Sequence, residues 1–530
     1  MAREYLYLAS SAVLGGYVLW TAAETYFRWS RISHLTSSHA HAHPVLAALL
    51  FLPALVLYNK AWYLSNMKAR GCGDVPLCPQ WDPVFGIDWV RTALARQRDH
   101  GLLEWWSTLF AKLGNTWWFK TPTGWVLMTA EPANLKSLLA SDFGDFPITG
   151  PRRDVLLPML GPEAIFVSNG DEWHRARAMM RPTFVRNQIA DLNCFERHVG
   201  NLMGRIPKDG ATVDLQELLY MMTMDSATDF MFGHSTNMLT TPSPEAHKFA
   251  LTFDSITTTS GLRARQGLLT SLHGDKKSDE RIATVHRFSD QYIKRKAAAA
   301  DKADAERDYV FLYDVMGQPG ATPEYVRAQL LSMILAGRDT TASTLSALFW
   351  ILARDEAVMR RLRGEVDELQ GRKPSWEEMR DMKYLNMVLK EILRLYPSVA
   401  TMSRGTARDT TLPVGGGPDR KSPVFVPKGT TVRWSIFHLQ RRKDLYGEDA
   451  DEFRPDRWDR RRPGWDYIPF SGGPRICIGQ QFALTQMGYF VVRVLQTFKD
   501  ISPRDDRPMQ QMLGITTKLP NDVLLSFTPA

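Results

Sequence analysis

From Thr322 to Ala353 the chain runs for about 30 residues with a helix-start signal at one end and apolar side chains almost throughout. Thr322 suits an N-cap, Pro323 the first helical position and Glu324 the first turn, where the helix dipole favours an acid. The mean helix in a globular protein has about 12 residues. A helix of this length, apolar on every side and without a heptad seam, must run through the middle of a large helical core. The 530-residue chain is 44% hydrophobic, enough to build one. Short strands are expected around Gly124 to Thr129 and Val424 to Trp434, with a Gly/Pro-rich hairpin excursion at Leu412 to Pro423 and an exposed helix or loop at Lys294 to Asp308. The expected fold is mainly α with small β-sheets (α+β), forming a single catalytic domain over residues 71–530 without repeats or long low-complexity linkers.

The N-terminal 70 residues differ in character. Tyr5 to Ala23 is 19 residues without a charge, long enough to cross a hydrocarbon core of roughly 30 Å. It lacks the small-x-small cleavage site of a signal peptide, and Arg28 and Arg31 after it favour a cytosolic position for the rest of the chain. A second apolar run, Pro44 to Tyr58, contains an internal proline and suits a membrane-surface or re-entrant helix as well as a span. Residues 1–70 therefore read as a membrane anchor. His39, His41 and His43 alternate between the two runs; they suit a metal or plain polar linker, and linker is the preferred reading. The net charge of 65 − 57 = +8 is diffuse. It suits a membrane face or an acidic partner and excludes a nucleic-acid reading. Four cysteines make no disulfide framework, and there is no Asn-x-Ser/Thr sequon, as expected of a body facing the cytosol.

One cysteine stands in an unusual setting. Pro469 to Ala483 reads PFSGGPRICIGQQFA, with Cys477 between glycines and just before an apolar helix. A helix N-terminus stabilises a thiolate. Gly472, Gly473 and Gly479 allow sharp turns and close approach of the backbone to a flat ligand, and Arg475 can pair with a carboxylate. Together these describe an axial haem site, with iron on the sulfur and a haem propionate on Arg475; the plain alternative is a buried cysteine on a tight turn. The spacing Phe470-x-x-Gly473-x-Arg475-x-Cys477-x-Gly479 resembles the haem-binding loop of the cytochrome P450 family. The resemblance makes Cys477 the proximal thiolate ligand of haem b, pushing electron density towards iron.

Further motifs appear in the family's order. In Ala336-Gly337-Arg338-Asp339-Thr340-Thr341 a glycine interrupts the long helix at a cost of about 1 kcal/mol relative to alanine. The acid and alcohol beside it, Asp339 and Thr340, match the pair that relays protons to dioxygen; taken alone they would read as a polar helix face with a hydroxyl back-bond. Glu391 and Arg394 match the family's E-x-x-R, read here as a buried pair among apolar neighbours, with Arg457 as third partner and a structural role. Trp173 and Arg177 resemble the W-x-x-x-R helix that reaches a haem propionate, and Arg404 matches the strand arginine that does the same. Cys72, Cys78 and Cys194 have no match. Finer stretches (AGRDTTAS, ILRLYPSV, DTTLPVGGG, MMRPTFVRNQI) resemble the fungal alkane and fatty-acid hydroxylase branch.

What the resemblance implies is a haem-thiolate monooxygenase in the endoplasmic reticulum membrane, its catalytic domain facing the cytosol. It would take electrons from a separate NADPH-cytochrome reductase and insert one atom of O2 into an apolar small molecule, a long-chain alkane or fatty acid. One alternative is a tailoring monooxygenase of a fungal secondary-metabolite pathway. Another is a haem-thiolate isomerase or dehydratase, against which Asp339-Thr340 speaks because such chemistry needs no proton relay. A non-enzymatic haem or metal carrier leaves Glu391, Arg394 and Arg457 without a purpose. The segments expected to face substrate are Phe143 to Ile165, the region around Gly261, the long helix near Ile334, and Val399 to Met402; their apolar character fixes only a greasy pocket.

Overall fold

The computed structural model describes residues 57–184, 192–266, 276–299 and 311–530. The apolar run 5–23, all but the last two residues of 44–58, and the alternating histidines lie outside the described residues, as does the end of the charged stretch 294–308. Among the described residues, no helix is long and apolar enough to cross a membrane. The chain divides into two compact units.

The first unit takes in residues up to 96, Glu104–Pro147 and Ser403–Ser435. Helices α1 (Ile87–Arg98) and α2 (Leu102–Leu113) precede β1 (Thr116–Thr121) and β2 (Gly124–Thr129). These strands pair antiparallel, and β2 continues in parallel to β7 (Thr431–Ser435), which neighbours β4 (Thr401–Gly405) at the sheet edge. The buried face is aromatic: the Trp89 ring stacks on Phe119 at 3.9 Å, and Trp117 lies 5.5 Å from both Phe119 and Phe110. The expected hairpin is β5 (Thr410–Gly416) against β6 (Ser422–Val426). The stretch expected as strand from Val424 to Trp434 is two strands, β6 and β7. Pro427, which has no N–H to donate, and Gly429 at φ +80° turn the chain between them.

The second unit holds residues 97–103, 148–402 and 436–530. Its helices of ten residues or more are α3 (Pro151–Leu160), α4 (Gly170–Met180), α5 (Asn193–Arg205), α6 (Leu215–Phe232), α7 (Pro244–Gln266), α8 (Lys276–Ala299), α9 (Pro323–Leu352), α10 (Glu356–Asp367), α11 (Lys383–Leu395) and α12 (Gln480–Thr497). Helix α9 is the expected long helix. Its N-cap is Thr322, whose Oγ1 accepts from the Tyr325 N–H at 3.1 Å. Leu345, Leu348 and Phe349 of α9 are wholly buried among side chains of α5, α6, α11 and α12, so the burial that offsets the backbone entropy of 30 ordered residues surrounds the helix on all sides. Two small sheets complete the unit: β3 (Val213–Asp214), β11 (Leu524–Pro529) and β8 (Phe498–Pro503), and the pair β9 (Met512–Leu513) with β10 (Thr517–Lys518).

Candidate active site

The loop before α12 is rigid for reasons local to it. The Cys477 N–H donates to the Phe470 carbonyl at 2.9 Å, and the Ile476 N–H to Gly473 at 3.0 Å, closing a turn of 3-10 helix over Gly473–Arg475. Gly473 sits at φ +66°, where side chains are strained. At Gly472 a Cβ would lie 2.6 Å from the Trp465 ring. Gly479 is different: it is the α12 N-cap at φ −90°, and a Cβ there would meet the Phe184 ring at an ordinary 3.6 Å, so the chain's own packing does not demand glycine at this position.

Cys477 opens onto a cavity of about 330 Å³ lined by Arg177, Arg181, Phe184 and Ile478. The thiol is reachable from this cavity, yet protein encloses it on every other side, and the burial raises its pKa. The Gly479 N–H and the Arg177 guanidinium oppose that rise. The expected net lowering by the helix N-terminus is thus outweighed by desolvation; a coordinated cation is what makes such a sulfur a thiolate.

Beside this cavity lie two of the expected cations, Arg177 in its lining and Arg475 two residues from Cys477. Trp173 on α4 is buried; the Arg475 guanidinium lies 4.3 Å and that of Arg177 5.9 Å from its ring centre. Arg177 Nη1 donates to the Ile476 carbonyl at 3.0 Å, and Arg475 Nη2 to the Ser168 carbonyl at 2.7 Å and to Asn169 Oδ1 at 3.2 Å. Trp173, Arg177, Arg475 and Cys477 therefore come together in one place. Arg404 lies buried on β4.

The Glu391–Arg394 pair is fully buried, with both side chains at 0% exposure. Glu391 accepts from Arg394 Nε (2.9 Å) and Nη2 (2.8 Å), Arg457 Nε (2.8 Å), the Trp458 indole (2.9 Å) and the Arg454 N–H (2.9 Å). Arg394 also donates to the carbonyls of Gln440, Ala450 and Glu452. From here the network reaches the cysteine loop. Gln440 donates to the Leu393 and Arg394 carbonyls and accepts from the Ile468 N–H, two residues before Phe470, whose carbonyl receives the Cys477 N–H. The Tyr467 hydroxyl adds a second tie, to the Lys390 carbonyl.

On α9, Gly337 leaves open space where a Cβ would stand. Asp339 is buried and accepts from Arg338 Nη1 at 2.8 Å; the same nitrogen donates to Asp254 on α7 at 3.1 Å. Burial raises the Asp339 pKa and Arg338 opposes the rise. The Thr340 hydroxyl donates to the Ala336 carbonyl at 2.7 Å, the back-bond to the preceding turn. Arg338, Asp254, Arg181 and Phe184 are site neighbours that motif reading passed over. Arg338 lay inside a quoted motif, and Arg181 and Phe184 in MMRPTF, so the signal was adjacency rather than residue type.

Haem is tested by what these residues offer: one soft thiol accessible from a cavity, an aromatic wall at Phe184, and guanidinium groups beside it for carboxylates. That donor set fits an iron porphyrin with propionates. The sequence agrees over nearly its full length. The Cytochrome P450 family model matches residues 79–525. Cytochrome P450 monooxygenase himC of Aspergillus japonicus is 38% identical, over 93% of this chain and 91% of that protein. Cytochrome P450 monooxygenase alt2 of Alternaria solani is 39% identical, over 87% and 92%. Cytochrome P450 52A5 of Candida maltosa is 36% identical, over 88% and 94%. The chain belongs to the cytochrome P450 family of haem-thiolate monooxygenases, which take electrons from a redox partner and one oxygen atom from O2 for an apolar substrate.

Proposed function

We propose that this enzyme hydroxylates long-chain alkanes or fatty acids at or near the chain end, anchored in the endoplasmic reticulum membrane by residues 1–70 and fed by an NADPH-cytochrome reductase, with residues 71–530 as catalytic domain. The observation that carries the site assignment is the cavity lined by Cys477 and Arg177, with the Trp173 ring packed between the Arg177 and Arg475 guanidinium groups. In this reading Cys477 is the axial ligand, and Trp173, Arg177, Arg404 and Arg475 hold propionates. Phe470 and Gly479 shape the loop, and Glu391, Arg394 and Arg457 fix it. Bound haem supplies the activation of dioxygen. The chain supplies protons: burial raises the pKa of the Asp339 carboxyl against the opposing pull of Arg338, which eases proton transfer through it, and the Thr340 hydroxyl must turn from the Ala336 carbonyl to pass a proton on.

Support for the substrate class is the resemblance of four stretches to the alkane and fatty-acid hydroxylase branch. A terminal C–H bond is stronger than its neighbours, so terminal attack requires a channel that admits only the chain end to the iron. The purified enzyme with reductase and NADPH is expected to convert a saturated fatty acid mainly to its terminal alcohol. In the same assay Thr340→Ala should lose product per NADPH by an order of magnitude or more, within the roughly 100-fold that a positioned proton donor contributes, while peroxide rises. Dominant in-chain hydroxylation would sink the narrow-channel reading, and unchanged coupling would remove Thr340 from the relay. Turnover of a cyclic or polyketide-like scaffold alone would favour the second reading, a secondary-metabolite tailoring oxidase; relatives named only as monooxygenases match the chain as well as the 52A5 protein does.

Support for the membrane comes from the surface as well as the N-terminal sequence. Leu57, Tyr58, Trp62, Trp81, Phe85 and Ile87, all between residues 57 and 87, are exposed, Trp81 by 75%, large apolar groups of the kind that enter a lipid surface. Removing residues 1–60 should move much of the protein from the membrane pellet to the supernatant under high salt, with haem content unchanged. Full retention in the pellet would place the anchor elsewhere.

A further inference from the structure

Cys194 and His198 stand four positions apart on α5, so one face of that helix carries both, and Asp229 of α6 lies against it. The thiol sulfur, the imidazole nitrogen and a carboxylate oxygen all lie within 4.8 Å of one another. Cys194 Sγ is 3.4 Å and His198 Nε2 is 3.0 Å from the same atom, Asp229 Oδ2. Arg197 Nη2 donates to that oxygen too. One carboxylate oxygen thus draws three side chains from a single helix, away from the residues that line the Cys477 cavity.

These spacings are close to those of a coordination shell. A zinc-class cation takes sulfur at about 2.3 Å and nitrogen or oxygen at about 2.0–2.2 Å in a tetrahedron, which holds neighbouring ligand atoms about 3.3–3.6 Å apart. The plain alternative is an Asp229–Arg197 ion pair with two passive neighbours. Against it stands His198, which is buried beside Phe195, Val199 and Leu202. Its Nδ1 has no hydrogen-bond partner among the described residues, so the ring is held at this cluster through Nε2 alone. An imidazole buried with one nitrogen unpaired is costly and calls for a reason.

Charge is conserved when a cation enters. A neutral thiol, the Asp229 carboxylate and the Arg197 guanidinium sum to zero. With a divalent cation bound, Cys194 gives its proton to water and Arg197 turns out to solvent. The thiolate, the carboxylate and the cation then sum to zero again. The Arg197 side chain is 59% exposed, so it can turn away without leaving a buried charge. Cys194 is only partly buried, which leaves a way in. A mixed sulfur, imidazole and carboxylate set prefers zinc-class cations to magnesium or calcium, and three protein ligands leave a fourth position for solvent.

We propose that Cys194, His198 and Asp229 form a binding site for a divalent cation of the zinc class, with Arg197 standing in for the cation in its absence. The bound cation ties α5 to α6. Phe195 and Phe230, chain neighbours of Cys194 and Asp229, each lie 5.0 Å from the Phe482 ring of α12. Phe482 in turn lies 6.2 Å from Phe184, in the wall of the Cys477 cavity. The clamp therefore stiffens the support behind that cavity without entering it.

The test strips the full-length holoenzyme with a chelator and dialyses it against zinc, with magnesium and calcium in parallel. Wild type should take up one zinc per haem that excess magnesium or calcium does not displace. X-ray absorption should show one sulfur at about 2.3 Å, and the unfolding midpoint should climb with the logarithm of zinc concentration. Cys194→Ser and His198→Gln should each weaken zinc at least by the roughly 10- to 100-fold that a change in a ligand's supporting groups costs. Arg197→Ala removes the competing cation and should bind zinc about twofold to fivefold tighter, the worth of an exposed ion pair. Zinc held equally well by Cys194→Ser, or held without sulfur, sits elsewhere, as on His39, His41 and His43, and overturns the proposal. A wild type that takes up no zinc overturns it as well and leaves the cluster an ion pair.

Discussion

Glu391→Ala is expected to yield almost no haem-bearing protein, and what folds should unfold at a markedly lower denaturant concentration than wild type. The carboxylate receives five hydrogen bonds and neutralises Arg394, which is itself at 0% exposure. Removing one member of a buried ion pair leaves the other as an uncompensated charge, at a cost of about 3–5 kcal/mol. A domain's whole stability is typically about 5–15 kcal/mol. The damage is also directional, because the same network positions Gln440, hence Ile468, hence the Phe470 carbonyl that holds the Cys477 N–H. Arg457→Ala should cost less. It leaves the Glu391–Arg394 pair intact, and the Asp449 carboxylate it abandons is a quarter exposed and keeps Arg454. Urea unfolding of both variants, with haem content per protein, checks the order. Equal midpoints for Glu391→Ala and wild type would show that the network does not lock the loop.

The long helix, the cysteine loop and the E-x-x-R pair were legible in sequence because each is a local pattern with a strong physical reason. Thr322-Pro323-Glu324 fixes a start within one turn, and the apolar run fixes burial. Glycines at 472 and 473 mark a turn that other residues cannot make. Less legible was anything decided by tertiary company. The Val424 to Trp434 stretch has strand-forming residues at both ends, and only the turn at Gly429 divides it. The Cys477 thiol reads as acidified by the helix behind it, but burial, which no single sequence displays, prevails. Asp339 and Thr340 read as the acid and alcohol of a proton relay. In the fold the acid is shared with Arg338, and through it with Asp254, a partner 84 positions from Arg338 in the chain.

Everything said of the site depends on Cys477 being the residue that holds the haem iron of this chain. None of the other cysteines has the setting for it: Cys72 and Cys78 are buried in the first unit, Cys78 with its pKa pushed up to about 12, and Cys194 donates to Asp229 on α6. The loop would tolerate serine at position 477, because the fold there depends on the Cys477 backbone N–H and not on the sulfur. Serine offers a weaker, harder ligand, so Cys477→Ser should fold, bind haem poorly if at all, and show no thiolate signature and no monooxygenase turnover. Alanine at 72, 78 or 194 should leave that signature in place. The most direct measurement is the carbon monoxide difference spectrum of the dithionite-reduced enzyme. A Cys477 ligand predicts the red-shifted thiolate Soret band for wild type and its complete absence for Cys477→Ser. A normal thiolate band in Cys477→Ser would contradict it.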